Sequence, residues 1–350
     1  ENNSATDMTG GDKVGVDEIL NIENVIASKY DDSISGNSSD NSLSGKEGDD
    51  SLEGNAGNDI LEGGAGDDIL KGGTGDDTLD GGEGVDIADF SDATASVNID
   101  LGADFTNPID IGAGLGSDKF IDIEGAIGGN YDDSITGTTG ANSLIGNGGN
   151  DVLLGGGTST AQAGEYDYID GGAGIDFVSY KDETTSVNIN LGLDYNDTGN
   201  GHIFNDDDNS VDTYQDAGAA GNIQIQNVEN LEGGAGDDTL IGNTSSNTLL
   251  GGEGNDWLIG KENNNELDGQ DGTSDTADYS HITSGVGITA DMTAGIDGTQ
   301  ELGEVEYNAT SKDTLKDIEN IRASKNDDEI IGDTDDNISN LFEGMGASDT

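Results

Sequence analysis

Aspartate recurs at a fixed interval in the most regular part of this sequence. In GNAGNDILEGGAGDDILKGGTGDDTLD, residues 54–80, one nine-residue phrase occurs three times. Each copy carries an aspartate at its sixth position (Asp59, Asp68 and Asp77) and a leucine at its eighth. The chain has no cysteine and only two histidines, so the ligands it offers a metal are carboxylate and carbonyl oxygens. An all-oxygen, flexible cage suits Ca²⁺ better than the tight octahedron that Mg²⁺ demands.

The net charge of the chain limits the classes of molecule that it can bind. With 74 acidic and 11 basic residues, the formal charge is −63, and repulsion on this scale opposes a compact state. This charge argues against nucleic acid as a partner, because phosphate binding needs Lys and Arg. No apolar stretch approaches the length of a membrane span, so no membrane insertion is expected. Two interpretations stay open: a disordered chain, or one that folds around counter-ions absent from the sequence.

The nine-residue units form blocks, and the blocks themselves recur. The segments before successive blocks share the phrases NIENVIAS, DIEGAIGG, NVENLEGG and DIENIRAS, which contain Glu23, Glu124, Glu229 and Glu319. The sequence is therefore predicted to alternate between repeat blocks, which we call rolls, and connectors. We expect it to be a segment of a longer array. The predicted segments are a partial connector 1–26, roll 27–89, connector 90–127, roll 128–179, connector 180–232, roll 233–278, connector 279–322 and a truncated roll 323–350.

The composition of one unit predicts its local structure. Its first six positions are rich in Gly, Asn and Asp, which favour turns, and its last three can form only a very short strand. Paired glycines every nine residues exclude a helix. We therefore expect an all-β solenoid in which each unit is half a coil, with short β-strands in connectors such as SVNIDLG, residues 96–102. Turns stacked about 5 Å apart would repel one another without a cation between them.

The phrase GGxGxDxUx, where U is a large apolar residue, resembles the nonapeptide of the repeats-in-toxin (RTX) family. This resemblance implies an all-β parallel β-roll (β-helix) with Ca²⁺ between successive turns on the same edge, roughly a dozen ions in all. It also implies that position-six aspartates and turn carbonyls are the ligands. The aspartates concerned are Asp32, Asp50, Asp59, Asp68, Asp77, Asp86, Asp133, Asp151, Asp167, Asp176, Asp238, Asp256, Asp275 and Asp328. Asn41, Asn142, Asn247 and Asn265 replace the aspartate, so these sites should lose charge and affinity.

The sequence contains no nucleophile elbow, HExxH motif or phosphate loop, so no enzymatic activity is expected. The resemblance extends to large bacterial RTX proteins. It implies a secreted, cell-surface protein exported by type I secretion, in which a calcium-dependent structural or adhesive array folds after export. A surface adhesin, a surface layer or a filament that self-associates would each fit. The alternative is the C-terminal module of a secreted protease, lipase or alginate epimerase, which would aid folding or bind polysaccharide. Trp257 and Phe177, at position seven, could stack on sugars or be covered by a connector.

Overall fold

The computed structural model describes residues 4–6, 22–103, 108–156, 167–184, 186–191, 212–215, 222–282, 287–292, 302–307, 311–331 and 341–343. Most of the partial connector 1–26, residues 157–166 of the second roll and most of the truncated roll 323–350 lie outside them. The chain forms two compact units, unit 1 with residues 1–155 and 170–174 and unit 2 with residues 156–169 and 175–350. The described residues contain no helix that could cross a membrane.

Every regular element in the described residues is a β-strand, and most strands have three to six residues. The strands before residue 156 are β1 (Ser4–Thr6), β2 (Asn24–Ile26), β3 (Ser33–Ser35), β4 (Ser42–Glu47), β5 (Ser51–Ala56), β6 (Ile60–Ala65), β7 (Ile69–Thr74), β8 (Thr78–Glu83), β9 (Ile87–Asp89), β10 (Asn98–Asp100), β11 (Ile109–Asp110), β12 (Ser117–Ile121), β13 (Gly125–Ile127), β14 (Ser134–Thr136), β15 (Ser143–Ile145) and β16 (Val152–Leu154).

The later strands repeat the same pattern of short segments. They are β17 (Tyr168–Asp170), β18 (Phe177–Ser179), β19 (Asn188–Asn190), β20 (Asp212–Gln215), β21 (Asn222–Gln226), β22 (Asn230–Glu232), β23 (Thr239–Ile241), β24 (Thr248–Glu253), β25 (Trp257–Ile259), β26 (Glu266–Asp271), β27 (Thr276–Asp278), β28 (Thr289–Asp291), β29 (Leu302–Glu306), β30 (Lys312–Lys316), β31 (Asn320–Arg322), β32 (Glu329–Ile331) and β33 (Leu341–Glu343).

Two nonapeptides make one coil of the roll. Each turn carries the chain to the opposite sheet, so a strand pairs in parallel with the strand 18 residues later, as when Leu43 lies beside Leu61 and Leu61 beside Leu79. In unit 1, one sheet has the order β1-β2-β4-β6-β8-β12-β11, and the opposite sheet contains β3, β5, β7, β9, β13 and β15. In unit 2, the corresponding sheets contain β22-β24-β26-β30 and β19-β23-β25-β27-β31. The predicted parallel β-roll is confirmed.

The core of the roll is a single layer of position-eight side chains. Leu61, Leu70 and Leu79 are completely buried, because alternate residues of a strand point to opposite faces. The neighbouring position-seven residues face outward, and Ile60 and Ile69 are 47% and 41% exposed. One buried aliphatic side chain per nine residues is a small apolar core, so the roll depends strongly on interactions at its turns.

The first complete connector, residues 90–127, re-enters the roll of unit 1. After leaving at β9, it returns as β12 beside β8 and as β13 beside β9. Phe90 and Phe120 meet edge to face with their ring centroids 6.1 Å apart. This connector therefore supplies further strands to the same two sheets. In its outer part, Val97, Ile99 and Leu101 are all buried.

The one-layer core predicts a large difference between two adjacent substitutions. Leu70→Ala removes a completely buried side chain, whereas Ile69→Ala trims a neighbour that is 41% exposed. In saturating Ca²⁺, we expect Leu70→Ala to lower the free energy of unfolding by about 2–5 kcal/mol and Ile69→Ala by about 1 kcal/mol or less. Urea unfolding followed by circular dichroism measures both, and equal losses would contradict the inward orientation of position eight.

Candidate metal centres

The position-six aspartates form ladders along the edges of the roll. They lie where a turn meets a strand, and at seven of them Oδ1 accepts the backbone N–H of the residue 18 positions earlier. Thus the N–H of Asp50 donates to Asp68 Oδ1 at 2.7 Å, and that of Asp59 to Asp77 Oδ1 at 2.7 Å. The side chains of these four aspartates are at most 2% exposed. The ladder places a buried position-six side chain, an aspartate in most turns and an asparagine in the others, along each edge of the roll.

The second carboxylate oxygen, Oδ2, is the exceptional atom of the ladder. At eight positions it is buried and has no hydrogen-bond partner among the described residues. These are Asp50, Asp59, Asp68, Asp77, Asp86, Asp118, Asp256 and Asp275. Burying an ionised carboxylate without a compensating partner costs several kcal/mol or more. A ligand that supplies positive charge would remove this cost.

The backbone at position two separates two kinds of turn. In turns that we call open, the position-two residue has a positive φ, as at Lys46 (98°), Asn55 (78°) and Gly64 (125°). In turns that we call closed, the N–H of position two donates to the side chain of position six, as from Gly129 to Asp133 Oδ2 at 2.6 Å. All eight unpartnered oxygens belong to open turns, whose other position-two residues are Gly73, Gly82, Gly114, Gly252 and Gln270.

The position-one glycines of the open turns form a cradle without side chains. A Cβ placed on Gly54 would lie less than 3.0 Å from both Asp59 Oδ2 and the carbonyl oxygen of Gly72. The same convergence recurs at other open turns, including those that begin at Gly45, Gly63 and Gly251. A carboxylate oxygen and a carbonyl oxygen of the following coil therefore face one space. This oxygen donor set fits Ca²⁺.

Sequence comparison agrees with this geometry. A model of the family described as RTX calcium-binding nonapeptide repeat (4 copies) matches residues 21–52, 53–88, 127–158, 232–267 and 250–273. The chain carries RTX calcium-binding nonapeptide repeats. RTX repeats of this kind bind Ca²⁺, and the matched residues make up about two-fifths of the chain. No curated protein matches the chain.

The RTX turns would supply most ligands from the backbone. Within the described parts of the chain, no three acidic or histidine side chains converge on one point. Each Ca²⁺ would therefore take one or two carboxylates and complete its six to eight oxygen ligands with carbonyls and water. A second, exposed row at position five strengthens the stacking, because Asp67 Oδ1 accepts the N–H of Val85 at 2.9 Å.

Burial perturbs the acidity of the ladder. Desolvation, together with neighbouring carboxylates, raises the pKa of Asp50, Asp77 and Asp256 to about 6. For Asp86 and Asp275 the same causes raise the pKa to about 7. Each of these carboxyl groups also accepts a backbone N–H, which acts in the opposite direction but is the smaller effect. The metal-free ladder therefore takes up protons at a higher pH than exposed aspartates do.

The other predicted aspartates occupy different settings. Asp32, Asp133 and Asp238 lie in closed turns, where Oδ2 accepts the N–H of Ser28, Gly129 or Gly234 at 2.6–2.8 Å. The remaining four, Asp151, Asp167, Asp176 and Asp328, are all buried. Asp151 lies in a turn that is open at Asn147, and the turn of Asp167 lies outside the described residues. The N–H of Asp176 donates to Glu229, and Asp328 Oδ1 accepts hydrogen bonds from the Ile288 N–H and the Ser324 hydroxyl.

Asparagine at position six provides its own donor. Asn142 Nδ2 donates to the carbonyl oxygens of Gly140 at 2.7 Å, Gly155 at 2.8 Å and Thr138 at 3.1 Å. Its Oδ1 accepts the N–H of Thr138 at 2.7 Å. The amide thus satisfies carbonyls within its own turn and the next coil without a cation, which explains how a neutral residue is accommodated in the ladder.

The ladders also contain acidic residues that the repeat pattern did not identify as ligands. Glu124, Glu229 and Glu319 accept the N–H groups of Asp86, Asp176 and Asp275 at 2.8–3.0 Å. Asp118 and Asp313 accept those of Asp77 and Asn265 at 3.0 and 2.9 Å. A usable signal existed: each acid precedes a buried apolar residue by two positions, which is the spacing of positions six and eight.

Two adjacent aspartates provide a test of the inner row. Asp68→Asn changes a fully buried carboxylate in an open turn, and Asp67→Asn changes its exposed neighbour by the same formal charge. We expect Asp68→Asn to lose one bound Ca²⁺ and to raise the Ca²⁺ concentration at the folding midpoint several-fold, about 1 kcal/mol or more. Asp67→Asn should retain the ion count. Equilibrium dialysis counts the ions, and equal effects of the two variants would count against inner-row ligation.

The raised pKa values predict opposite pH responses with and without Ca²⁺. In chelator, protonation stabilises the folded roll, because the folded pKa values of about 6 to 7 exceed the unfolded value of 3.8. This contribution is fully present below about pH 4 and disappears as the pH rises through about 7. Circular dichroism should show more β structure in chelator at about pH 4 than at about pH 7.5. In Ca²⁺, acidification should instead raise the midpoint concentration, because protons compete for the ligands.

Proposed function

We propose that this chain is a calcium-driven structural array of a secreted bacterial surface protein. The observation that carries the proposal is the ladder of buried carboxylates whose second oxygens have no partner among the described residues, in a chain with a formal charge of −63. Such a roll has a high electrostatic cost without cations. Ca²⁺ bound by the folded state alone would then supply folding free energy.

The mechanism couples folding to location. Before export, at the low Ca²⁺ of a cytosol, self-repulsion would keep the chain unfolded and competent for type I secretion. Outside the cell, at roughly millimolar Ca²⁺, weak extracellular-type sites fill. Each filled open turn orders its own coil and offers carbonyls to the next, so folding propagates along the roll as in other repeat proteins.

The repetition of rolls and connectors favours an array in a surface adhesin, a surface layer or a filament. The alternative role is the C-terminal module of a secreted protease, lipase or alginate epimerase. Sugar stacking by Trp257 receives little support, since its Nε1–H donates to Asp278 at 2.9 Å. The Arg322 guanidinium also lies 5.6 Å from the Trp257 ring centroid, which places a connector residue over the indole.

Calcium titration tests the proposal. Circular dichroism of the 350-residue chain should change from coil to β structure as Ca²⁺ is added, and excess chelator should reverse the change. Mg²⁺ at the same concentration should be far less effective, because it keeps its own waters and requires a tighter octahedron. A stable β spectrum in excess chelator at pH about 7.5 would refute the mechanism.

Electron microscopy in Ca²⁺ separates the two roles. Calcium-dependent fibres or sheets support a self-associating array. Dispersed particles that bind a polysaccharide in a pull-down support the enzyme-module alternative. A catalytic domain encoded next to this segment would also favour that alternative.

A further inference from the structure

The first complete connector contains a turn that has the nonapeptide arrangement but lies outside the matched repeats. Residues 113–121 read AGLGSDKFI, with Gly at positions two and four, Asp118 at position six and Phe120 at position eight. The family model matches residues 53–88 and 127–158, which leaves this segment between two matches. The segment is separated from β9 by connector residues, so it does not continue the uninterrupted series of nine-residue units of the first roll.

The structure builds this segment as another coil of the roll in unit 1. Lys119 and Phe120 of β12 pair in parallel with Thr78 and Leu79 of β8. Asp118 Oδ1 accepts the N–H of Asp77 at 3.0 Å, which is the inner-row hydrogen bond of the ladder. In the outer row, the Ser117 N–H donates to Asp76 Oδ1 at 3.0 Å. Both hydrogen bonds reproduce the contacts between successive nonapeptide turns.

Positions two and four of this segment have the positive φ values of an open turn. Gly114 at position two has a φ of 77° and Gly116 at position four has a φ of 105°. A Cβ on Gly116 would collide with the carbonyl oxygen of Gly75, so this turn stacks directly on the turn before it. At position one, Ala113 replaces glycine and also has a positive φ, 51°. The open conformation of position two is thus retained despite this replacement.

Asp118 has the unpartnered oxygen that marks an open turn. The residue is completely buried, and its Oδ2 has no hydrogen-bond partner among the described residues. The Oδ2 of Asp77, one coil earlier on the same edge, is also unpartnered. Burial, with the charges of Asp77 and Asp76, raises the pKa of Asp118 to about 8. A buried carboxylate oxygen without a donor carries a high electrostatic cost, which a bound cation would remove.

We propose that residues 113–118 form an additional Ca²⁺-binding turn with Asp118 as its carboxylate ligand. This turn would continue the edge that includes Asp59 and Asp77 and would extend the metal ladder from the repeats into the connector. The inference rests on the proposed calcium-driven folding, but it adds a site in a segment that the repeat match does not include.

Unit 2 supplies a matched control at the corresponding ladder position. Asp313 Oδ1 accepts the N–H of Asn265 at 2.9 Å, as Asp118 accepts that of Asp77. Its Oδ2, however, accepts the hydroxyl of Tyr279 at 3.0 Å. Asn265 Nδ2 donates to Asp313 Oδ1 as well, at 2.9 Å. Protein donors therefore satisfy both oxygens of Asp313, whereas one oxygen of Asp118 has no partner among the described residues.

The experiment compares Asp118→Asn with Asp313→Asn in the 350-residue chain. Equilibrium dialysis against Ca²⁺ and native mass spectrometry count the ions bound to each variant and to the wild type. Asp118→Asn should bind one ion fewer and require a several-fold higher Ca²⁺ concentration at the folding midpoint. Asp313→Asn should retain the wild-type ion count. An unchanged ion count in folded Asp118→Asn would overturn the proposal and would indicate a protonated, purely structural carboxyl.

A structure of the wild-type protein determined in Ca²⁺ covers the case in which Asp118→Asn does not fold. Anomalous scattering should locate an ion within about 2.3–2.6 Å of an Asp118 oxygen. Ions at the nonapeptide turns with none at Asp118 would refute this inference and leave the proposed function intact. A wild-type chain that neither binds Ca²⁺ nor folds with it would instead refute the proposed function.

Discussion

The buried carboxylate oxygen without a donor is the constraint on which the rest of this structure depends. In the open turns, the backbone satisfies one oxygen of the inner aspartate, and the second oxygen lies near a carbonyl oxygen of the adjacent coil beside a position-one glycine, as at Gly54. Oxygen facing oxygen is repulsive, and the single layer of leucines offers little to offset it. A cation converts the same geometry into an attractive one. The acidic composition, the glycine pattern and the thin core are therefore all related to this one constraint.

The comparison of open and closed turns shows how the roll limits the requirement for a cation to its interior. The closed turn of Asp133 stacks on Val97, and that of Asp238 stacks on Val187, so both follow a connector rather than a nonapeptide. There the backbone N–H of position two satisfies the carboxylate. Open turns stack on another nonapeptide turn, whose backbone can accept their hydrogen bonds. For example, the N–H of Glu253 donates to the carbonyl of Gly234 at 2.8 Å.

The connectors extend the rolls by substituting a shorter turn for a nonapeptide. Asp122 and Asp317 have φ values of 45° and 48°, and each precedes a ladder glutamate by two residues. Only two residues separate Ile121, at the end of one unit, from Glu124. In a full nonapeptide, five residues would precede position six. Because the glutamate side chain is longer than that of aspartate, its carboxylate still accepts the N–H of Asp86 from the shorter turn. This recurring substitution explains why Glu124 and Glu319 are landmarks of the sequence.

The sequence alone determined the local unit: a glycine-rich turn, a short strand, an inward apolar residue and a carboxylate at position six. These features follow from residue type, because φ preference and hydrophobicity act within nine residues. Only the tertiary structure decided which carboxylates lack a donor in the described part of the chain. Asn37 at position two lies in a closed turn and Asn55 in an open one, so residue type does not set the conformation. What sets it is the turn stacked beneath, and for Asp118 that partner is 41 residues away, beyond the reach of any local pattern.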